Sequence, residues 1–354
     1  FTDQLDNTLF KVDIATWSVV EYAGSGVSST VDGVGSDASF KAPHDVAIRG
    51  ALDYSLVVDY SGYNVRKVLL QCESIPSGAP TISPSSSFPT CSPSTPAPSL
   101  APSSPANECD GGVVDTIAGS ETGTEFGTVD GIGLDARFTT VIAVDISPDD
   151  SFALVASLGN RKIYFMDLNT LLVEVVVSVP TNNYPRGVAI SSDLSFAVFT
   201  AASGYSGKVY IITDLFTWAF SELSGSPVFG VPTGIALSAD NTYAVVSEYW
   251  DDIVSKVVIA TGVKTTIASV RRPWGLDFSP SGILLVARPT VPSVVVVDVS
   301  SGSVSSVTDS YNGTLKQPMG VAISEDESYF LFTDQLDNTL FKVDIATWSV
   351  VEYA

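Results

Sequence analysis

Six times along this chain a short apolar run, in most cases entered through Pro or Gly, ends in a polar turn. The runs are 44–48, 142–146, 187–190, 234–237, 275–278 and 320–323. Turns such as Ser147-Pro148-Asp149-Asp150, Ser191-Ser192-Asp193-Leu194, Ser238-Ala239-Asp240-Asn241 and Ser279-Pro280-Ser281-Gly282 follow, built from residues that suit tight hairpins. A second strand comes next, as at 196–199 or 243–247. A third follows at 162–166, 208–212 or 294–299, and a fourth at 173–179. Internal repeats set an architecture before any other feature does. Four short strands per unit, with no amphipathic helix between units, predict the four-stranded antiparallel blade of a β-propeller, and six units predict an all-β, six-bladed propeller. A β-sandwich would not carry so regular a strand-turn-strand repeat.

A longer repeat encloses this one. Residues 1–23, FTDQLDNTLFKVDIATWSVVEYA, recur unchanged as 332–354, an offset of 331 residues. The chain therefore reads either as a window on a tandem array or as a unit carrying a duplicated closing segment. The segment alternates Leu9, Lys11, Asp13 with Phe10, Val12, Ile14, which gives paired strands one buried face. Two copies cannot fill one slot. Residues 1–23 are expected to close the sixth blade, with 24–331 supplying the other blades and 332–354 starting the next unit; the alternative is a sixth blade completed by 332–354.

The joins between units carry a family resemblance. Val114-Asp115-Thr116-Ile117-Ala118-Gly119-Ser120 followed by Thr128-Val129-Asp130-Gly131-Ile132-Gly133-Leu134-Asp135-Ala136-Arg137-Phe138 resembles the outer strand and interblade loop of NHL-repeat propellers. Glu21 to Gly26, followed by Thr30-Val31-Asp32-Gly33-Val34-Gly35 and on to Phe40, repeats it. Asn64-Val65-Arg66-Lys67-Val68 and Asn160-Arg161-Lys162-Ile163 resemble the family's entry to the third strand. The third to fifth units lack the glycine-rich loop. The resemblance implies the propeller fold and no particular function, because propellers serve as enzymes, scaffolds and receptors alike.

Residues 73–108 interrupt the first unit between its third and fourth strands. They are mostly Pro, Ser and Thr with almost no core-forming side chains, so they read as an extended, polyproline-like arm looping out at a blade edge. All three cysteines lie at or inside the arm. Cys72 and Cys109 flank it where two neighbouring strands part, a suitable base for a disulfide; pairings through Cys91 remain open, and Cys91 is otherwise free or interchain. The long cysteine spacings and the single histidine, His44, argue against zinc. Ser83-Pro84, Ser92-Pro93, Thr95-Pro96, Pro98, Pro102 and Ser104-Pro105 resemble the glycosylated Pro-rich modules of plant and algal wall proteins and mucin-type stalks. Asn312-Gly313-Thr314 is the one N-x-S/T sequon. Cysteines, sequon and arm together point to the secretory pathway, and so to an extracellular, cell-surface or secreted protein.

The net charge of −22 argues against nucleic acid and anionic membranes as partners, and no run is long and apolar enough to insert into a membrane as a helix. Catalytic constellations are nearly absent. His44 precedes Asp45 with no organised nucleophile. Asp45, Asp145, Asp277 and Glu248 could serve a calcium- or substrate-binding pore of lactonase-like type, or close strand ends by hydrogen bonds. Trp17, Trp218, Trp250 and Trp274 could stack sugars or pack between blades. The expectation is a non-enzymatic structural subunit without cofactor, assembling with itself end to end into a glycan-coated filament. The alternative is a glycan- or peptide-binding adhesion propeller, and a calcium-dependent hydrolase stands third.

Overall fold

The computed structural model describes residues 2–3, 8–12, 19–23, 28–34, 37–48, 54–69, 113–180, 182–225, 227–279, 281–307, 315, 318–323, 327, 329–334, 339–345 and 349–353. Cys72, Cys91, Cys109, Asn312 and the arm positions from Ser83 to Pro105 lie outside them, as does Trp17.

Every sheet is antiparallel. The first holds β1 (Thr2–Asp3), β2 (Thr8–Val12) and β3 (Val19–Ala23). The second holds β4 (Gly33–Val34), β5 (Pro43–Ile48), β6 (Tyr54–Asp59), β7 (Asn64–Leu69) and β8 (Val113–Gly119), ordered β4-β8-β7-β6-β5. The third holds β9 (Gly131–Ile132), β10 (Val141–Ile146), β11 (Phe152–Ser157), β12 (Lys162–Asp167) and β13 (Leu172–Ser178), ordered β10-β11-β12-β13-β9.

Three sheets of four strands follow in simple meander order. They are β14 (Tyr184–Ile190), β15 (Ala197–Ser203), β16 (Ser206–Asp214), β17 (Ala219–Glu222); β18 (Pro232–Leu237), β19 (Tyr243–Glu248), β20 (Ile253–Val258), β21 (Lys264–Ser269); and β22 (Leu276–Phe278), β23 (Ile283–Arg288), β24 (Ser293–Asp298), β25 (Val304–Ser306). The last sheet is β26 (Pro318–Ile323), β27 (Tyr329–Asp334), β28 (Thr339–Asp344), β29 (Ser349–Tyr353). The first strands lie side by side in chain order, β5 beside β10, then β14, β18, β22 and β26. This is an all-β propeller with four-stranded antiparallel blades.

The hydrophobic layers sit between blades. Leu56 and Val58 of β6 pack with Val144, Val155, Tyr164 and Met166 of the next blade, and Leu154 and Ile163 pack with Phe199 and Tyr210 of the one after. The apolar runs on β11, β19 and β24 are buried on both faces for this reason, each full burial of a large aliphatic side chain contributing roughly 1.5–3 kcal/mol.

The first-to-second-strand turns share one chemistry. Ser147 Oγ accepts the amides of Ser151 and Phe152 at 3.1 and 3.0 Å, while Asp149 Oδ1 accepts the Ser151 hydroxyl at 2.8 Å. Ser191 with Asp193, and Ser238 with Asp240, repeat the arrangement. The turn needs one left-handed residue, supplied by Asp150, Leu194 and Asn241 at φ near +58°. These hydrogen bonds hold the carboxyls of Asp149, Asp193 and Asp240 below the ordinary range.

The glycine-rich loops add the fifth strands. Gly33 pairs with Val114 and Gly131 with Val173, so each loop folds back along the outer edge of its own blade. At Gly131 a Cβ would stand 3.0 Å from the Asp135 backbone, and Gly133 lies at φ +55°. Phe40 and Phe138 close the loops as fully buried plugs, Phe138 edge-on to Tyr164 at 4.9 Å. The third to fifth units, lacking the loop, have four strands and no fifth.

The two copies of the duplicated segment form the same hairpin. Thr2 pairs with Leu9 and Asp3 with Thr8; Thr333 pairs with Leu340 and Asp334 with Thr339. Phe10 faces Glu21 as Phe341 faces Glu352. The C-terminal copy is paired with β26, the arrangement given above as the alternative, which needs only a short turn to close. The N-terminal copy makes a three-stranded sheet beside β5.

Candidate functional site

The first-strand aspartates face the blade junctions. Asp45 Oδ2 accepts the Val144 amide at 3.1 Å, Asp145 Oδ2 the Ile190 amide at 2.8 Å, and Asp277 Oδ2 the Ile323 amide at 2.8 Å. Each carboxylate thus ties one innermost strand to the next. Glu248 is fully buried, held by Lys264 Nζ at 2.7 Å, the Gly230 amide at 2.8 Å and the Ser255 hydroxyl. The structure does not bring these four acids together. Among the described residues there is no group of three or more His, Cys, Asp or Glu that could hold a metal ion.

The third-strand arginine is also architectural. Arg66 is fully buried, donating to Ser39 O at 2.9 Å, Val31 O at 3.0 Å and Asp32 Oδ1 at 2.8 Å, with Asp59 3.5 Å away. It pins the glycine-rich loop onto the sheet. Burial pushes the Asp59 carboxyl up to about 7, against the pull of Arg66 and the Lys41 amide.

Chain reversal at every hairpin puts two kinds of connection on each rim. Second-to-third-strand turns and blade-to-blade joins share one rim; first-to-second and third-to-fourth turns share the other. On the first rim most innermost strands open with a bulge: at His44, Ile142, Arg186, Thr233 and Met319. The equivalent position of the fifth unit is Trp274, whose amide donates to Ala287 O at 2.9 Å. Among the described residues these equivalent positions thus carry side chains as different as imidazole, guanidinium, hydroxyl and indole. His44 stacks on Tyr60, ring centroids 5.6 Å apart, and burial lowers its pKa to about 4, against the pull of a hydrogen bond to the Ile142 backbone. Arg186 Nε is buried without a hydrogen-bond partner.

The same rim carries an aromatic platform. Tyr249 and Trp250 come from the β19–β20 turn, Tyr205 from the β15–β16 turn, and Arg272 and Trp274 from the join between β21 and β22. Tyr249 meets Trp274 and Trp250 edge-on at 5.4 and 5.5 Å, and Tyr205 meets Trp250 at 5.2 Å. The Arg272 guanidinium sits 4.1 Å from the Trp250 ring centroid and 4.9 Å from that of Tyr249. Asp252 accepts the Arg272 amide at 2.9 Å and fixes the join. Tyr205 is 77 % exposed and Trp250 43 %. Arg271 and Arg272 are matched on this face by Asp251 and Asp252, with Arg272 Nε 3.7 Å from Asp252 Oδ1, so the patch is aromatic and locally charge-balanced within a chain of net charge −22.

The sequence groups Trp17, Trp218, Trp250 and Trp274, of which Trp17 lies outside the described residues. The structure joins the last two through Tyr249 and sends Trp218 to the opposite rim, against Phe165 at 5.2 Å. Tyr205, Tyr249 and Arg272 were not foreseen; the signal was their place in turns and joins of the same rim. A groove of about 580 Å³ lined by Tyr243, Lys256, Phe278 and Asp298 lies on the opposite rim.

No family model matches the chain, and no curated protein does. Solved structures do. The chain is similar to a hydrazine synthase from Kuenenia stuttgartiensis, with 14 % identity over 97 % of this chain and 91 % of that one, at a TM-score of 0.62. It is similar to a catalytically inactive virginiamycin B lyase from Staphylococcus aureus crystallised with quinupristin, with 13 % identity over 88 % and 83 % and a TM-score of 0.59. A chain of a nidogen/laminin complex matches with 13 % identity over 62 % of this chain and 82 % of its own, at a TM-score of 0.53. At these identities the likeness carries the propeller fold and no activity.

Proposed function

We propose that this chain is a six-bladed, NHL-type propeller acting as a non-catalytic structural subunit of an extracellular filament, in which propellers follow one another in tandem or end to end. The observation that carries the reading is the duplicated segment: identical residues, 331 apart, form the same hairpin register at both ends of the row of sheets. One blade slot and two claimants of identical sequence leave one copy for a neighbouring unit. Such a contact is heterologous, and without closure it propagates. Six sheets of four or more strands and the two Asp-Gly-x-Gly loops support the six-bladed, NHL-type part. The proposal places the protein at the cell surface or in the secreted fraction, with glycans on the arm and at Asn312 and a Cys72–Cys109 bridge at the arm's base. Intact mass of native material tests it: a polypeptide of several 331-residue units, or a ladder of linked single units, is expected, and a lone unmodified unit would refute it.

A second reading, an adhesion propeller binding glycan or peptide, is favoured by one observation, the exposed platform of Tyr205, Trp250 and Arg272.

A further inference from the structure

We infer that the platform of Tyr205, Tyr249, Trp250 and Trp274 is the docking site for the Pro-rich arm of a second copy of this chain. The inference deepens the filament reading and rests on it for the arrangement of neighbouring units.

The first argument is chemical. Polyproline segments are recognised by grooves lined with aromatic rings, because pyrrolidine rings pack against flat π-surfaces and the extended helix loses little entropy on binding. The platform offers rings from three different connections at mutual distances of 5.2 to 5.5 Å, with an arginine alongside whose donors suit the unpaired carbonyls of such a helix. The stretch 92–105, SPSTPAPSLAPSSP, has a proline at every second to fourth position.

The second argument is electrostatic. Two bodies of net charge −22 repel, whereas the arm carries no charge between Glu73 and Glu108. A neutral arm on a patch where Arg271 and Arg272 are balanced by Asp251 and Asp252 crosses the gap without adding to that repulsion.

The third argument is topological. The arm leaves between β7 and β8, a third-to-fourth-strand connection. The platform is built from second-to-third-strand turns and a blade-to-blade join, on the opposite rim. In units stacked rim to rim, the arm leaves the rim apposed to the platform of the next unit, from the first unit toward the third to fifth, and the rotation between units sets how far it must reach. At about 3.1 Å per residue, residues 73–108 reach on the order of 110 Å when extended. Hydroxyls on the helix face turned away from the rings stay available for glycans.

The test uses the full chain with Pro93, Pro96, Pro98, Pro102 and Pro105 each changed to Ser, so that no native arm competes. A fluorescent synthetic peptide of residues 92–105, unmodified, is titrated against it and read by anisotropy. Saturable binding is expected, at least tenfold weaker with Tyr205→Ala and with Trp250→Ala, and unchanged with Phe216→Ala, which removes the 95 % exposed Phe216 on the other rim. Tyr205 sits at a turn tip, so its variant keeps the fold. Absence of saturation, equal binding by the Tyr205 variant, or binding of an oligosaccharide in place of the peptide would overturn the inference. Because the readout does not depend on assembly, its failure is distinguishable from failure of the filament reading.

Discussion

The Asp145 carboxylate and the Ile190 amide meet at 2.8 Å across the junction between two blades, and Asp277 repeats the contact with Ile323 in the fifth unit. The second oxygen of each aspartate accepts the amide that follows it in its own strand, at 2.9 Å in Ile146 and 2.8 Å in Phe278. Charged hydrogen bonds that leave a part-buried amide unsatisfied when lost are worth about 1.5–3 kcal/mol each. Asp145→Ala should lower the unfolding free energy by about that much, and denaturant melts showing less than about 0.5 kcal/mol would contradict the stapling role.

Arg66 and Asp59 form a coupled pair around the glycine-rich loop. Arg66→Met removes the cation that favours the buried Asp59 carboxylate, together with the bonds to Ser39, Val31 and Asp32, and should destabilise by about 3–5 kcal/mol, with Arg66→Met in an Asp59→Asn background costing clearly less. Additive losses in a double-mutant cycle would show that the two residues act independently.

The pH profile follows from three sets of groups. The turn carboxylates, among them Asp298 at about 2, titrate below an unfolded aspartate near 3.8. Their stabilisation is complete above that value and lost as pH falls through the folded values. His44, lowered from 6.5 to about 4, likewise loses stability as pH falls from 6.5 to 4, because the unfolded chain takes the proton first. Asp59, raised from 3.8 to about 7, runs the other way, losing stability as pH rises across that window. Thermal midpoints should therefore be nearly level between about pH 4 and 7 and drop below about pH 3.8. His44→Phe, which keeps the stack on Tyr60, should turn the level region into a decline with rising pH.

Gly262 tests the third-to-fourth-strand turns. It lies at φ +68°, and a Cβ there would stand 1.3 Å from the Ser224 carbonyl oxygen of the preceding blade. Gly262→Ala should destabilise by more than the roughly 1 kcal/mol expected from backbone strain alone. A neutral effect by calorimetry would mean that the β20–β21 turn does not touch the join between β17 and β18.

Strands and turns were legible in the sequence because their signals are local. The Ser-x-Asp turns, the alternation in 162–166 and the Asp-Gly-x-Gly loops each specify themselves within a dozen residues. What joins blades was not legible. Asp45 and Val144 are 99 positions apart, so whether Asp45 faces a pore or a neighbouring amide depends on how two blades meet. The platform has the same character: Tyr205, Trp250 and Arg272 converge only because three connections share one rim. The sequence likewise offered β26 two partners, residues 1–23 as the expected one and 332–354 as the alternative; β26 pairs with β27, the strand next in the chain.

The central claim is assembly, and electron microscopy of native material tests it most directly. The account predicts straight fibres with one propeller per axial repeat and a constant rotation between units. Isolated, monodisperse propellers, or beads joined by flexible tethers, would contradict it.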